Sequence, residues 1–190
     1  MEHKPKLIAI TGLMYVGKST KLVDIYSEEL KQEKNIEAFK PISNKRGGEY
    51  IVSRDRELQI PCKCVMDITE TIGSKADTIF IDEMQNFQSE QLSYTLNELK
   101  KTDKTIYVAG LSKKATNTYF ENYHILEKLA DKMEILKVKC QLCSCEADFS
   151  CLTKFGENKS FSTTKGAEYM NLCLACSEGK NALLTKEIGK

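Results

Sequence analysis

LIAITGLMYVGKST, residues 7–20, joins an apolar run to a loop that begins at one glycine and ends in Gly-Lys-Ser. An apolar run that stops at a glycine is typical of a buried parallel strand. The loop matches the pattern G-x-x-x-x-G-K-[ST], whose main-chain N–H groups surround phosphate oxygens. From Lys18 to about Lys34 apolar residues recur near a 3.6-residue period. The stretch therefore predicts a strand, a phosphate loop and a helix, in that order.

The predicted phosphate loop contains one cation and one hydroxyl at its end. Lys18 offsets the charge of the β- and γ-phosphates, and the Ser19 hydroxyl suits Mg²⁺. The amino end of the following helix adds a partial positive charge. A glycine-containing turn without a ligand is the alternative, and the flanking strand and helix argue against it. We expect ATP and Mg²⁺ to bind at Gly12, Leu13, Met14, Tyr15, Val16, Gly17, Lys18 and Ser19.

Strands and helices alternate along the next 110 residues. Apolar runs predict strands at IEAFKP (36–41), TIFIDE (78–83) and KTIYVAGL (104–111), and periodic segments predict helices at 88–101 and 120–132. Alternation of this kind is typical of an α/β fold with right-handed crossovers. The sequence therefore predicts a parallel sheet flanked by helices, with the phosphate loop at one of its strand ends.

TIFIDE places two carboxylates directly after a predicted buried strand. The carboxyl ends of parallel strands form the edge at which open α/β sheets bind ligands. Asp82 at this edge is suited to orienting Mg²⁺. Glu83 is suited to removing a proton from an attacking oxygen, as a general base. The alternative is that the acidic pair only ends a strand.

Six of the eight cysteines fall within residues 140–176. Two Cys-x-x-Cys pairs, Cys140 with Cys143 and Cys173 with Cys176, fit a tetrahedral site of four thiolates for structural Zn²⁺. Cys145 and Cys151 lie close by in the sequence, so a permuted ligand set stays open. Cys62 and Cys64 fall outside this pattern, and partly buried structural cysteines are the favoured interpretation for them.

The sequence changes character near residue 135, where hairpin-like alternation replaces the strand–helix pattern. We predict an ATP-binding domain at residues 1–137, a zinc-ribbon-like β module with a long loop at 138–178, and a charged tail at 179–190. The formal net charge is +1, and no recognition helix is rich in basic residues, so nucleic acid is not an expected partner. No apolar run reaches the roughly 20 residues of a membrane span. We expect a cytoplasmic protein that does not bind membranes.

These motifs together resemble one known family, the zinc-containing thymidine kinases of vertebrate cytosol, bacteria and large DNA viruses. The resemblance covers about residues 6–177. It depends on motifs in the order and near the spacing of that family, namely GLMYVGKST (12–20), KPISNKR (40–46), IDEMQNF (81–87), VAGLSKKATNTYF (108–120), CQLC (140–143) and YMNLCLAC (169–176).

The resemblance implies transfer of the γ-phosphoryl group of ATP to the 5′-hydroxyl of thymidine, with Mg²⁺. It implies a tetramer, or a dimer, in which a zinc-held lasso loop covers the nucleoside. Glu83 then matches the general base, with Lys18 and Arg46 as catalytic cations and Asp82 and Gln85 at the nucleotide-binding strand end. The nucleoside contacts implied are Met14, Leu111, Phe120, Ser150, Ser160, Ser162, Thr163, Thr164 and Tyr169.

Several residues depart from the family pattern, mostly near the expected nucleoside. Asn44 replaces an acidic residue, Asn86 an aromatic one, Ser112 an aspartate and Ala115 a phenylalanine. Loss of an aromatic contact weakens base stacking by about 1 kcal/mol. Two alternatives to thymidine phosphorylation stay open. One is a relative with altered nucleoside specificity or lost activity, and the other is an ATPase in which Glu83 activates water.

Overall fold

The computed structural model describes residues 6–53, 59–154 and 168–178. The strands are β1 (Leu7–Gly12), β2 (Ile36–Pro41), β3 (Tyr50–Val52), β4 (Gln59–Pro61), β5 (Lys63–Val65), β6 (Thr78–Ile81), β7 (Thr105–Leu111), β8 (Lys132–Leu136), β9 (Phe149–Lys154) and β10 (Glu168–Leu172). The α-helices are α1 (Lys18–Lys31), α2 (Ser89–Lys100) and α3 (Glu121–Leu129). Among these described residues no helix is both long and apolar enough to cross a bilayer.

The central sheet has six strands in the order β5-β2-β6-β7-β1-β8. Every neighbouring pair in it is parallel. The carboxyl ends of all six strands therefore lie at one edge, where ligands bind in folds of this kind. Strand β1 is buried along its whole length, as expected for a strand covered on both faces. The predicted α/β class, with a parallel sheet flanked by helices, is confirmed.

Alternate residues of the strands enter two separate hydrophobic cores. Leu7 and Ala9 of β1 pack with residues of α2 and α3, whereas Ile10 packs with Leu22 and Val23 of α1. This alternation follows from the two-residue period of a strand, which sends successive side chains to opposite faces. Helix α1 therefore covers one face of the sheet, and α2 and α3 cover the other.

The described residues fall into two compact units. The sheet unit comprises the chain up to Gly12, Gly17–Leu111 and Phe120–Leu136. The cysteine unit comprises Leu13–Val16, Ser112–Tyr119 and the described residues from Lys137 onward. Within the cysteine unit β9 and β10 pair antiparallel, and Cys140, Phe149, Cys151 and Leu172 form its small core. The domain boundary after residue 137 stays a prediction.

The predicted helix over 120–132 is wrong at its carboxyl end. Helix α3 ends at Leu129, and Lys132–Leu136 forms β8, which pairs parallel with β1 at the edge of the sheet. The first four residues of KMEIL alternate between polar and apolar, but their exposure does not follow, since Met133 and Glu134 are half-buried and Ile135 is exposed. The strand conformation of KMEIL comes from pairing with β1, which is more than 120 residues distant in the sequence.

Glu29 of α1 is a buried carboxylate held by three partners in the sheet unit. Lys34 Nζ lies 2.5 Å from Oε2, the Thr78 hydroxyl donates to Oε2 at 3.0 Å, and the Tyr107 hydroxyl lies 3.3 Å from Oε1. Burial alone would raise the pKa of Glu29. The hydrogen bonds and the charge of Lys34 outweigh burial, and the pKa of Glu29 is lowered. The ionised carboxylate therefore stabilises the fold.

We expect Glu29→Gln to lower the free energy of unfolding at neutral pH by about 1–3 kcal/mol, because hydrogen bonds to a buried charge are lost or weakened. Since the folded-state pKa of Glu29 is lowered, the contribution is present above the ordinary carboxyl pKa of 4.5 and disappears as the pH falls through the folded value. Urea unfolding of both proteins between pH 7 and pH 3 measures this. The exposed neighbour Glu28 offers the control Glu28→Gln, and an equal loss in both variants would contradict the assignment.

Candidate active site

The phosphate loop follows β1, and its last glycine begins α1. Gly17 is the N-cap residue with φ +91°, a left-handed conformation that favours glycine. Tyr15 also has a positive φ, 61°, which is costly for a residue with a side chain. Lys18 Nζ lies 3.5 Å from the Gly12 carbonyl oxygen, so the lysine folds back along the loop. The amino end of α1, which begins directly after Gly17, completes an arrangement suited to phosphate.

Asp82 lies directly after β6, at the carboxyl edge of the sheet. Its side chain is buried, and Oδ1 accepts a hydrogen bond of 2.9 Å from the Glu83 N–H. Burial and the charge of Glu83 raise the pKa of Asp82 to about 7, although Lys18 and Lys40 oppose the shift. A divalent cation at this carboxylate would favour its ionised form, because a bound cation is the largest local charge.

Glu83 is turned away from the strand direction by a left-handed main-chain conformation, φ 56°. The side-chain amide of Gln85 bridges it to the end of β7. Gln85 Nε2 donates to Glu83 Oε2, and Gln85 Oε1 accepts from the Leu111 N–H at 2.9 Å. The bridge needs Gly110, since a Cβ there would lie 2.6 Å from Gln85 Oε1. Gln85 thus orients Glu83, and its expected role toward the nucleotide stays a prediction.

A cleft of the sheet unit brings together residues of both charge signs. It is lined by Ser19, Arg46, Asp82, Glu83 and Lys40, among others. Arg46 Nη2 donates to the Val52 carbonyl at 2.9 Å. The cleft therefore combines the phosphate-loop hydroxyl, two acidic groups and two cations.

Lys40 is a site residue that sequence reasoning misses. It is only 1% exposed, and its Nζ donates to the carbonyl oxygens of Arg46 at 2.6 Å and Tyr50 at 2.9 Å. The Asn44 Oδ1 accepts from the Arg46 N–H at 3.0 Å, which closes the turn. Lys40 thereby fixes the loop that carries Arg46. The available signal was a lysine inside an apolar strand, next to Pro41.

The expected nucleoside contacts divide between the two units. Leu111 ends β7, and Phe120 is the N-cap of α3 and packs on the core of the sheet unit. Met14, Ser150 and Tyr169 belong to the cysteine unit. Burial, and then the charge of Tyr15, raise the pKa of Tyr169. The lasso residues Ser160, Ser162, Thr163 and Thr164 lie outside the described residues.

The four predicted zinc ligands form one cluster in the cysteine unit. The Sγ atoms of Cys140, Cys143, Cys173 and Cys176 all lie within 4.8 Å of one another. Tetrahedral Zn²⁺ with bonds of about 2.3 Å to sulfur requires sulfur–sulfur distances of about 3.8 Å. The donor set and its spacing therefore fit a structural Zn²⁺ site. Cys145, whose side chain is exposed, is not part of the cluster.

The surroundings of Cys140 favour a thiolate. Burial would raise the pKa of Cys140, but N–H groups of Cys173, Leu142 and Cys143 point at its sulfur and lower the pKa to about 6. Cys176 keeps its proton instead, because hydrogen bonds with Cys143 and Cys173 raise its pKa to about 12, so a bound cation would have to displace that proton. A thiolate is the form that binds a metal. Cys62 is different, because burial raises the pKa of its thiol to about 11. Cys62 and Cys151 are each packed in a hydrophobic core, Cys62 in the sheet unit and Cys151 in the cysteine unit.

Comparison with known proteins gives one consistent result. A family model described as Thymidine kinase matches residues 5–177. A thymidine kinase of Pseudothermotoga lettingae is 31% identical over an alignment of 178 residues that covers 90% of this chain and 94% of that protein. A thymidine kinase of Mesoplasma florum is 28% identical over 142 residues, 70% of each chain. One of Choristoneura fumiferana entomopoxvirus is 26% identical over 180 residues, 92% of this chain and 97% of that protein.

Proposed function

Because this chain belongs to the thymidine kinase family, we propose that it transfers the γ-phosphoryl group of ATP to the 5′-hydroxyl of thymidine, with Glu83 as the general base. The observation that carries the proposal is the cleft shared by Ser19, Arg46, Asp82 and Glu83. An activated hydroxyl and a phosphate-binding group must lie side by side for direct transfer.

Each group in the cleft has a proposed task. Main-chain N–H groups of residues 12–19, apart from the Met14 N–H, which donates to Ser150 Oγ, bind the triphosphate together with the Lys18 ammonium. Arg46 stabilises the charge that develops during transfer. Ser19 and Asp82 would hold Mg²⁺, which neutralises phosphate charge when bound. Glu83 accepts the proton of the 5′-hydroxyl, and Gln85 keeps its carboxylate in one orientation.

The cysteine cluster has a structural rather than a chemical task in this proposal. Four thiolates leave no open coordination position, so a bound Zn²⁺ would connect Cys140 and Cys143 to Cys173 and Cys176 without contacting a substrate. The segment between Cys143 and Cys173 is then fixed at both ends. We propose that its residues Ser160, Ser162, Thr163 and Thr164 contact the nucleoside, together with Met14, Leu111, Phe120, Ser150 and Tyr169.

Ala115 is the departure with the most direct consequence for affinity. It lies in the segment Ser112–Tyr119, whose ends pair through a bridge between Lys113 and Tyr119. We expect Ala115→Phe to tighten thymidine binding about fivefold, because an added aromatic contact contributes about 1 kcal/mol. Titration calorimetry with thymidine measures this, and Thr116→Phe on the exposed neighbour is the control. Equal affinity in Ala115→Phe and the unmodified protein would place the base elsewhere.

The acceptor is tested with γ-labelled ATP and a panel of thymidine, deoxyuridine and deoxycytidine. We expect labelled monophosphate with thymidine as the preferred acceptor. If another nucleoside gives the highest kcat/KM, the replacements Asn44, Asn86, Ser112 and Ala115 have altered the specificity. Release of labelled inorganic phosphate alone, unaffected by any nucleoside, would support the ATPase alternative.

Two further properties are proposed from the family. The resemblance implies a homotetramer, or a dimer, and light scattering of the purified protein tests the mass. We also propose a cytoplasmic location, because a reducing compartment keeps the four clustered thiols available as metal ligands. Neither nucleic acid nor a membrane is a proposed partner.

A further inference from the structure

Both main-chain polar groups of Met14 are bound by side chains from two strands of the cysteine unit. The Met14 N–H donates to the Ser150 Oγ at 2.9 Å, and the Asn171 Nδ2 donates to the Met14 carbonyl oxygen at 2.8 Å. The Ser150 hydroxyl in turn donates to Asn171 Oδ1 at 2.8 Å. The three residues therefore form a closed ring of hydrogen bonds.

The direction of every hydrogen bond in this ring is determined. Ser150 Oγ accepts from Met14, so its single proton is directed to Asn171 Oδ1. The other end of the Asn171 side-chain amide is its NH2 group, which must then face the Met14 carbonyl oxygen, because that oxygen can only accept. Ser150 is 2% exposed and Asn171 is 3% exposed, so a missing partner would leave a buried polar group unsatisfied.

The two side chains are held in place by the strands that carry them. Ser150 of β9 and Asn171 of β10 are directly opposite in the antiparallel register, so their side chains share one face. The Asn171 N–H also donates to Gln141 Oε1 at 2.8 Å, and the Gln141 N–H donates to the Asn171 carbonyl. Gln141 directly follows Cys140 of the cysteine cluster, so the residue that holds the Asn171 main chain is itself next to a cluster cysteine.

The residue next to the ring needs such support. Tyr15 has φ 61°, a strained conformation that a non-glycine residue keeps only where its surroundings impose it. The Met14 N–H belongs to the peptide group between Leu13 and Met14, and the Met14 carbonyl belongs to the one between Met14 and Tyr15. Because both peptide groups are fixed, the main chain that leads into Tyr15 is restricted. A phosphate loop binds through N–H groups that must point inward before the ligand arrives.

We propose that Ser150 and Asn171 are positioning residues for the phosphate loop: they fix the main chain of Met14 and thereby preorganise residues 13–16 for the triphosphate of ATP. The inference rests on the proposed role of residues 12–19 in binding ATP. It also gives Ser150 a task separate from the nucleoside contact expected from the family. Neither residue touches the reacting atoms in this role.

The test measures the Kd of a non-hydrolysable ATP analogue with Mg²⁺ by titration calorimetry, and zinc content by mass spectrometry. We expect Asn171→Asp, which places an acceptor opposite the Met14 carbonyl, to raise the Kd tenfold or more. Ser150→Ala should raise it about fivefold. Ser150→Thr, which keeps the hydroxyl, should restore the Kd to within twofold of the unmodified protein. All these variants should retain one Zn²⁺ per chain.

Two further variants separate the possible failures. Asn97→Asp makes the same chemical change at an exposed position of α2 and should bind the analogue normally. Lys18→Ala removes the proposed phosphate cation. If Lys18→Ala weakens binding but Ser150→Ala and Asn171→Asp do not, the positioning inference is wrong and the phosphate loop stands. If Lys18→Ala also binds normally, the proposed function of the loop is wrong. If Asn171→Asp loses zinc or fails to fold, the two Ser150 variants test the inference instead. Weaker binding in Ser150→Ala and normal binding in Ser150→Thr would support it, and normal binding in both would contradict it.

Discussion

Glu83→Gln should lower kcat for thymidine phosphorylation by about 10²–10⁴, the usual contribution of a general base. An amide has the size of the carboxylate but does not accept the proton of the 5′-hydroxyl. Its oxygen can still accept the hydrogen bond from Gln85 Nε2, so the side chain should keep its orientation. We therefore expect the affinity for ATP to change less than twofold. Steady-state kinetics and calorimetry with a non-hydrolysable analogue measure the two quantities separately.

The control for this variant is a nearby glutamate that has no proposed role. Glu90 is exposed in the first turn of α2, and Glu90→Gln should leave both kcat and the ATP affinity unchanged. Turnover of Glu83→Gln near that of Glu90→Gln would remove Glu83 from the role of base. A loss of ATP affinity equal to the loss of kcat would instead place Glu83 in nucleotide binding.

The second large effect is expected at the cysteine cluster, where Cys140→Ser should abolish stoichiometric zinc binding. Binding of Zn²⁺ by four-ligand peptides is coupled to their folding, with apparent free energies of about 10–16 kcal/mol. Loss of one thiolate should therefore unfold the small core around Cys140 and Leu172. Thymidine phosphorylation should fall below detection, because the proposed nucleoside loop is no longer fixed. Zinc content and hydrogen exchange of β9 and β10 measure this.

Cys145→Ser is the matched control, because Cys145 is exposed and lies outside the cluster. We expect this variant to keep one Zn²⁺ per chain and normal activity. Full metal content in Cys140→Ser would disprove the ligand assignment, and zinc loss in Cys145→Ser would point to a permuted set.

The parallel sheet and the phosphate loop follow from local sequence signals. Strands β1 and β6 are short apolar runs because both of their faces are buried. Each of the four fixed positions of the loop pattern, Gly12, Gly17, Lys18 and Ser19, has a physical task. The acidic pair is found by its position after β6. The cysteine pairs are found by their spacing, and the structure brings the four sulfurs together.

Other features depend on contacts between distant residues and could not be predicted this way. Strand β8 is set by its pairing with β1, because the alternation of Lys132–Ile135 is too short to distinguish a strand from the end of the preceding helix. The sequence marks Lys40 only as a lysine inside an apolar strand, and its role in fixing the turn depends on the carbonyl oxygens of Arg46 and Tyr50, which accept from its ammonium. Asn171 contacts Met14 across 157 residues of sequence, and an asparagine in a strand gives no signal of such a partner.

The central claim is that the phosphoryl group goes to the 5′-hydroxyl of a nucleoside. The most direct measurement follows the label from γ-labelled ATP in parallel reactions with thymidine and with 5′-deoxythymidine, which lacks only that hydroxyl. The account predicts labelled thymidine monophosphate in the first reaction and no labelled nucleoside product in the second. Label appearing only as inorganic phosphate, at the same rate in both reactions, would contradict it.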